Sequence, residues 1–544
     1  VQRLDHPTKD PKLPSYVGPA LRRVMADLEV THDCWNLLRT PGAAKGQEDA
    51  LLRRYLPKEP REPPEAYRVR LAYSRYPSFF PDAIRSFSGV LSRFQLASPP
   101  PTLEAAASNI DRQGNSLKAL LTAADQGVMR DGGCYLMVDM PAGRPGSLAE
   151  EVASGRRPYL TLVDRADVLS FRVAMVGTAQ VATQVVVREW VEVPDDDGAY
   201  GTTIEARYRV ITTQAGVTSW QVLKLTKDGN GTYGAAVDTD EQGQPREASY
   251  EAAGGRPFPR PPIVWYPSRI AEGFGQGAVP LIGLALDTLD HFRTRADQKE
   301  LMRKLAMPVP VRTGMPPPAP GQPQPVVTLG ANTFLDLPQG SSFDFKGPPS
   351  DSLAPRAAEV EHIEGLIREQ TLAFMYGTGG GAKTATQADL EGVSSQANIR
   401  TMAEAKVNAV QQLLELWTLF TGEPLEPDAG IVMDANLHDR PLGPQDTAQL
   451  SALAMNELLS QRSLTEILIR GGVNTAATSP EQELQRLEAE RQAREAAMGD
   501  LAPDDPSLID DAELPVSELQ ATPDGANGTG GTDGGQIGQG GADA

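Results

Sequence analysis

The sequence predicts an α+β chain, and three observations predict it. Stretches with helical spacing of apolar residues cover 278–306, 354–374 and 386–420. Strand-like alternation fills the middle of 157–267. The two patterns occupy separate stretches of the chain.

Bulk properties narrow the function classes. At 544 residues with 40% hydrophobic content, the chain is too long for one compact core and apolar enough for several. No run approaches the ~20 uncharged apolar residues that span a bilayer. Val1 to Ser15 is charged and interrupted by proline, unlike a secretory signal, so the expectation is a soluble protein made inside the cell. Cys34 and Cys134 stand apart, without a CxxC pattern, which argues against a disulfide framework or a cysteine zinc site. Cys134 lies in an apolar run and reads as a buried thiol. The formal charge of −20 argues against tight binding of duplex DNA through its phosphates. Ten acids and no Lys or Arg lie in 500–544.

The elements follow in order. Residues 16–95 read as helical, with Leu21, Val24, Met25 and Leu28 on one face and a break at Pro60, Pro63 and Pro64. Asn115 or Ser116 caps a helix carrying Leu117, Leu120 and Leu121. Gly132 and Gly133 stop it, and Cys134–Asp139 is a strand. Val185, Val187, Val191 and Val193 alternate with Val186, Arg188, Trp190 and Glu192. Ile204, Ala206, Tyr208 and Val210 alternate with Glu205, Arg207 and Arg209. This predicts an antiparallel meander with one face in water. The acids Asp195, Asp196 and Asp197 read as a solvated hairpin turn instead of a metal cluster.

A long helix over 278–306 has Leu284, Leu286, Leu289, Phe292, Leu301 and Leu305 as apolar positions, and Pro308 and Pro310 end it. A Pro/Gly-rich insert follows over 308–351, with short strands at Val326–Leu329 and Thr333–Leu337. The helix over 354–374 places Val360, Ile363, Leu366 and Ile367 on one face. After a glycine run, the third helix extends from Thr386 to Phe420. Shorter helices fill 444–498, and 500–544 has the composition of a disordered tail.

The search for catalytic chemistry is mostly negative. None of the five histidines, His6, His32, His291, His362 and His438, belongs to an HExxH or an i, i+4 pair, and there is no GxSxG. His291 and His362 read as surface or packing residues. Gly377 to Thr384 resembles a phosphate-binding loop. Ala382 stands where such a loop needs the glycine before its lysine, and a helix precedes it instead of a buried strand. The competing reading is a pliant connection between two helices that carries one cation. Asn109, Asp111 and Gly114 read as a turn.

The order helix, small insert, helix, glycine loop, longer helix resembles the core of tailed-bacteriophage portal proteins, a portal-like family related to phage proteins known only as a domain of unknown function. The resemblance is carried by Val279 to His291, Asp297 and Met307 to Val311, and by Asn109 to Gly114. Tyr135 to Pro141, Arg157 to Tyr159, Arg188-Glu189, Tyr208 to Val210, Ser463 to Glu466 and Glu483 to Arg486 add to it. It is spread over residues 55–495.

The resemblance implies a portal-like α+β fold. Its parts would be a helical and β wing over 1–277, a first stem helix over 278–307, a clip over 308–351 and a second stem helix over 352–374. A tunnel loop over 375–385, a long wing helix over 386–424, a crown over 425–499 and a disordered acidic tail over 500–544 would follow. It implies a non-enzymatic ring, usually of twelve copies, at a capsid vertex. Through it double-stranded DNA would be packaged and ejected. Implied partners are the terminase large subunit, head-tail adaptor proteins, and the major capsid and scaffold proteins, with no membrane and no cofactor. The location would be the virion, and the host cytoplasm during assembly. Gly379, Gly380, Gly381, Lys383 and Thr384 would face the DNA channel. Val326, Val327, Leu329, Phe334 and Leu337 would dock the motor or connector. The rival readings are a P-loop-like NTPase and an acidic scaffold of the head interior.

Overall fold

The computed structural model describes residues 7–37, 50–141, 156–176, 179–194, 200–240, 242–269, 273–305, 311–315, 335–338, 353–375, 385–433, 444–455, 460–470 and 480–499. It is a mixed α+β structure, as the sequence predicts. The chain forms two compact units, Val1–Leu437 and His438–Ala544.

The first unit opens with four helices: α1 (Pro19–Leu37), α2 (Ala50–Tyr55), α3 (Pro64–Tyr73) and α4 (Phe79–Leu91). Proline begins α1 and α3, where a missing N–H leaves no bond unmade. Strand β1 (Phe94–Ala97) and α5 (Pro101–Ala106) lead to α6 (Leu117–Asp131). The Ser116 hydroxyl accepts from Ala119 N at 3.2 Å, so Ser116 is the cap. Gly132, at φ 78°, closes α6 in the left-handed conformation.

Strand β2 (Gly133–Asp139) is buried throughout. It lies between β3 (Tyr159–Asp164) and a later strand in a three-stranded antiparallel sheet. A six-stranded sheet holds β4 (Val168–Val176), β5 (Ala179–Pro194), β6 (Thr202–Gln214), β7 (Val217–Lys227) and β8 (Tyr233–Val237) in that order. Strand β9 (Glu247–Ser249) also pairs with β7. The meander is antiparallel throughout, as its alternation predicts. Its second face is only partly in water. Val185, Val187 and Ile211 pack into the main core, while Ala206 and Tyr208 on the opposite face pack with Leu169 against Val17, Leu21 and Leu28. Helix α1 covers part of that face and Ile204 stays exposed, so residues far away in the chain decide where it is buried. The 195–199 turn lies outside the described residues.

Strand β10 (Ile263–Pro267) pairs with β2, setting Trp265 opposite Tyr135. Helix α7 (Ile282–Leu305) follows, then β11 (Val311–Met315) and β12 (Leu335–Pro338), which pair in parallel. The second strand of the insert thus begins two residues after the expected Thr333, and Val326–Leu329 lies outside the described residues. Helices α8 (Leu353–Met375) and α9 (Ala385–Thr421) complete the helical run. Strand β13 (Gly430–Met433) pairs antiparallel with β1. This pairing ties 430–433 to the first unit. The second unit contains α10 (Pro444–Met455), α11 (Gln461–Arg470) and α12 (Pro480–Gly499).

Two large cores organise the first unit. A helical core collects Leu71, Phe80, Ile84, Phe87, Leu284, Leu289, Phe292, Ile363 and Ile367 from α3, α4, α7 and α8. A β-side core collects Leu121, Leu136, Val185, Ile211, Tyr266, Leu414 and Trp417.

Candidate functional site

The feature that the sequence places at the centre of function is the pair α7 and α8. At 1.5 Å per residue, 24 and 23 residues make rods of ~36 and ~35 Å. They lie side by side and antiparallel. Gln370 Nε2 donates to Asp287 Oδ2 at 2.6 Å, and His291 Nε2 meets Glu364 Oε1 at 2.9 Å, so later residues of α7 meet earlier residues of α8. Leu284, Leu289 and Phe292 of α7 and Ile363 and Ile367 of α8 supply the apolar seam. Leu286 and Leu366 do not belong to it: they are 51% and 37% exposed, on the outward side of their helices. Their spacing fits a helix stripe, but a stripe does not say which of its margins is covered.

Helix α7 is tethered at both ends. At its root, the wholly buried Arg165 donates Nη1 to Asp131 O at 2.7 Å and Nη2 to Gly277 O at 2.8 Å. Its guanidinium also lies over the Trp265 ring, 5.3 Å from the centroid. A side chain at position 132 would collide with the Ala278 carbonyl, so glycine lets the lead-in of α7 approach the end of α6. Farther along, Arg293 Nε donates to Tyr55 O at 3.1 Å. Arg70 of α3, itself buried, pairs with Glu62 at 3.0 Å and lies 3.6 Å from Glu300 and 3.8 Å from Asp297. Phe79 meets His291 edge-on with centroids 5.2 Å apart, and Tyr76 meets Phe292 at 5.6 Å. His291 is therefore a packing histidine, as its position on a long helix predicts, while His362 is exposed.

Helix α9 has 37 residues and packs into both cores. Ile399, Met402 and Ala403 join the helical core, and Ala409, Val410, Leu413, Leu414, Trp417 and Phe420 join the β-side core. Ala405 also joins the β-side core, so the change of core falls between Ala403 and Ala405, next to Lys406. The Lys406 Nζ is wholly buried, 2.7 Å from Asp125 Oδ2 and 2.9 Å from Leu91 O, with the Phe94 ring centroid at 4.4 Å. The Tyr266 hydroxyl donates to Asp125 Oδ1 at 2.8 Å. Burial pushes the Asp125 carboxyl up to about 6, despite Lys406 and Tyr266, and pushes the Lys406 ammonium down. Both partners shift toward neutrality, the direction in which desolvation outweighs pairing. Sequence reasoning missed this lysine although a signal was present. Positions 399, 402, 403, 406, 410, 413, 414 and 417 make one helix stripe, and 406 is its one charged member.

The expected channel residues Gly379, Gly380, Gly381, Lys383 and Thr384 lie outside the described residues, between Met375 at the end of α8 and Ala385 at the start of α9. Val326, Val327, Leu329 and Phe334 lie outside them too, and of Leu337 the structure describes its strand pairing with Thr313. Asp111 and Asn109 form the expected turn: Asp111 Oδ1 accepts from Gln113 N at 2.9 Å and Asn109 Oδ1 from Gly114 N at 2.8 Å. Both cysteines are buried, and burial pushes their thiols up, to about 12 for Cys34. Among the described residues no group of three or more His, Cys, Asp or Glu is placed to hold a metal ion, and no helix is long and apolar enough to cross a membrane.

The fold and site define an α+β protein built on an antiparallel helix pair that brackets a small strand-containing insert and leads into a longer helix. Residues 280–421, from the entry of α7 to the end of α9, match the family described as a domain of unknown function, DUF4055. No curated protein matches the chain. Among solved structures, the chain is similar to one from the virion of a native gene transfer agent particle. The identity is 14%, over 81% of this chain and 99% of that one, with a TM-score of 0.34. It is also similar to one from the neck of an empty gene transfer agent particle computed with C6 symmetry. There the identity is 15%, over 75% of this chain and 93% of that one, with a TM-score of 0.32.

Proposed function

We propose that this chain is the portal subunit of a tailed-phage-like particle. Copies meeting head to tail would close into a ring, the twelve-membered one usual in the portal family, at the capsid vertex and in the virion. The ring would pass double-stranded DNA, dock the terminase motor on the insert and later hold the head-tail adaptors. The subunit would be a conduit, not an enzyme.

The observation that carries this reading is the antiparallel α7–α8 pair, with the insert at one end and the passage to α9 at the other. A hairpin of two ~35 Å rods is a natural stave for a channel wall, because side-by-side repetition around an axis leaves a central bore. The charge suits the task. A conduit that bound phosphates strongly would have to release them at every step, whereas a subunit of net charge −20 repels the duplex. Lys383 would then be a transient phosphate contact in the passage between α8 and α9.

Electron microscopy of the purified protein tests the ring. Closed rings with an axial hole are expected, while monomers or open filaments sink the reading. Measurable ATP hydrolysis abolished by Lys383→Ala would overturn the conduit in favour of the nucleotide-binding alternative.

A further inference from the structure

The two cores of the first unit do not merge. They meet along a seam where Met433 packs against both and where buried polar groups lie, and α6 carries a carboxylate at two points of it. Ala124 and Val128 of α6 belong to the β-side core and Met129 to the helical core. Asp125, between them, is wholly buried and reaches Lys406 on α9. Lys406 also donates to Leu91 O, the last carbonyl of α4 in the helical core, and Asp125 also accepts from Tyr266 of β10 in the β-side core. One ion pair thus ties α4, α6, α9 and β10 together.

Six residues on along α6, Asp131 is again wholly buried. It lies 3.0 Å from His32 Nε2 of α1, and Arg130, 2.6 Å from Asp131, lies 3.1 Å from Asp164 of β3. The same logic applies at the second point: helical side, buried carboxylate of α6, β side.

An apolar boundary between two cores would fuse them, because every sliding state still buries hydrocarbon and gains free energy by area. A boundary of buried ions behaves differently. The pairing gain is largely offset by desolvation, so the contact adds little net stability, yet it tolerates only one registration, since any shift strands a buried charge. Such a seam is definite in geometry and weak in cohesion. Helix α9 crosses it without a break: Ile399, Met402 and Ala403 belong to the helical core, and from Ala405, beside Lys406, its buried apolar residues belong to the β-side core.

We propose that this polar seam is a joint: the helical block carrying the α7–α8 pair opens against the β-side block as one cooperative unit, α9 is the shaft between them, and Asp125–Lys406 is the latch. The joint concerns the single chain, so it stands or falls independently of ring formation.

Hydrogen exchange of the full-length protein in increasing sub-denaturing urea tests it. Peptides of α4, α7, α8 and the part of α9 before Lys406 are expected to share one opening isotherm. Peptides of β2, β10 and the part of α9 after Lys406 should share a second, at least about tenfold more protected at low urea. A single continuous helix splitting at Lys406 is the distinctive result. If α9 exchanges as one unit, or if α7 and α8 follow the same isotherm as β2 and β10, there is no joint. The double variant Asp125→Leu/Lys406→Met replaces the latch by hydrocarbon and should merge the two isotherms. If two isotherms persist in a folded double variant, the pair is not the latch. The wild-type measurement decides the joint even where a variant fails to fold.

Discussion

His291 Nε2 lies 2.9 Å from Glu364 Oε1, and the imidazole is wholly buried between α7, α8 and the edge of the Phe79 ring. Arg295 Nη1 lies 3.6 Å from the same Glu364 oxygen, so the two side chains of α7 share one carboxylate of α8. Removing the imidazole tests whether the pair is held by specific contacts or by area alone. His291→Ala should lower unfolding stability by ~2–4 kcal/mol, from the cavity and from the lost hydrogen bond to Glu364, which keeps Arg295 as a partner. Glu364→Gln should cost under ~1 kcal/mol, because the amide oxygen still accepts. Urea denaturation of both variants checks the contrast, and equal losses would assign the effect to packing.

The Asp125–Lys406 pair makes a second contrast. Lys406→Met alone strands a buried carboxylate and should cost ~3–5 kcal/mol, whereas Asp125→Leu/Lys406→Met should fall within ~1 kcal/mol of wild type or exceed it. Chemical denaturation at pH 7 reads both. A double variant as weak as the single one would show that the pair contributes net stability.

The two buried carboxylates of α6 should respond to pH with opposite signs. The Asp125 value is raised from 3.8 to about 6, so its contribution is complete below about 3.8 and is lost as pH rises through about 6. The Asp131 value is held far below 3.8 by Arg130 and His32 against the pull of burial. Its contribution is complete above about 3.8 and is lost as pH falls toward the folded value. Asp131→Asn should therefore destabilise strongly at pH 7, with the difference from wild type shrinking in acid below pH 4. Denaturation midpoints at pH 7, 4 and 3 measure this, and a constant difference would contradict it.

Arg165 fixes where α7 starts by holding the carbonyls of Asp131 and Gly277. Arg165→Met keeps the packing over Trp265 and leaves both carbonyls without this donor. A loss of ~2–4 kcal/mol is expected. Exchange at 273–281 should rise more than in α8, and uniform acceleration would mean the residue acts on the whole core instead.

Channel function has its own test. Lys383→Ala should leave folding and ring formation unchanged while altering DNA packaging or retention. Normal packaging would remove Lys383 from the channel.

Most elements were legible because each rests on short-range chemistry. The Ser116 cap, the Gly132 stop, the all-apolar Cys134–Val138 strand and the alternation of β5 and β6 are local patterns, and the structure follows them. What failed were assignments of sidedness. Leu286, an apolar position of its helix, and Leu366, set on one face with Ile363 and Ile367, are exposed, and the second face of the meander was placed in water and is partly covered by α1. A periodic stripe specifies that a face exists, not what arrives to cover it.

By itself the sequence determined the kinds of element, their order and the long helix that follows the helix–insert–helix run, because spacing, caps and prolines act within a few residues. Only the tertiary structure decided that α7 and α8 lie antiparallel, that Lys406 on an apolar stripe is buried against Asp125, and that two cores meet at that pair. The reason is physical. Burying a charge depends on a partner far away in the chain, and no local pattern encodes the distance between two side chains that folding brings together.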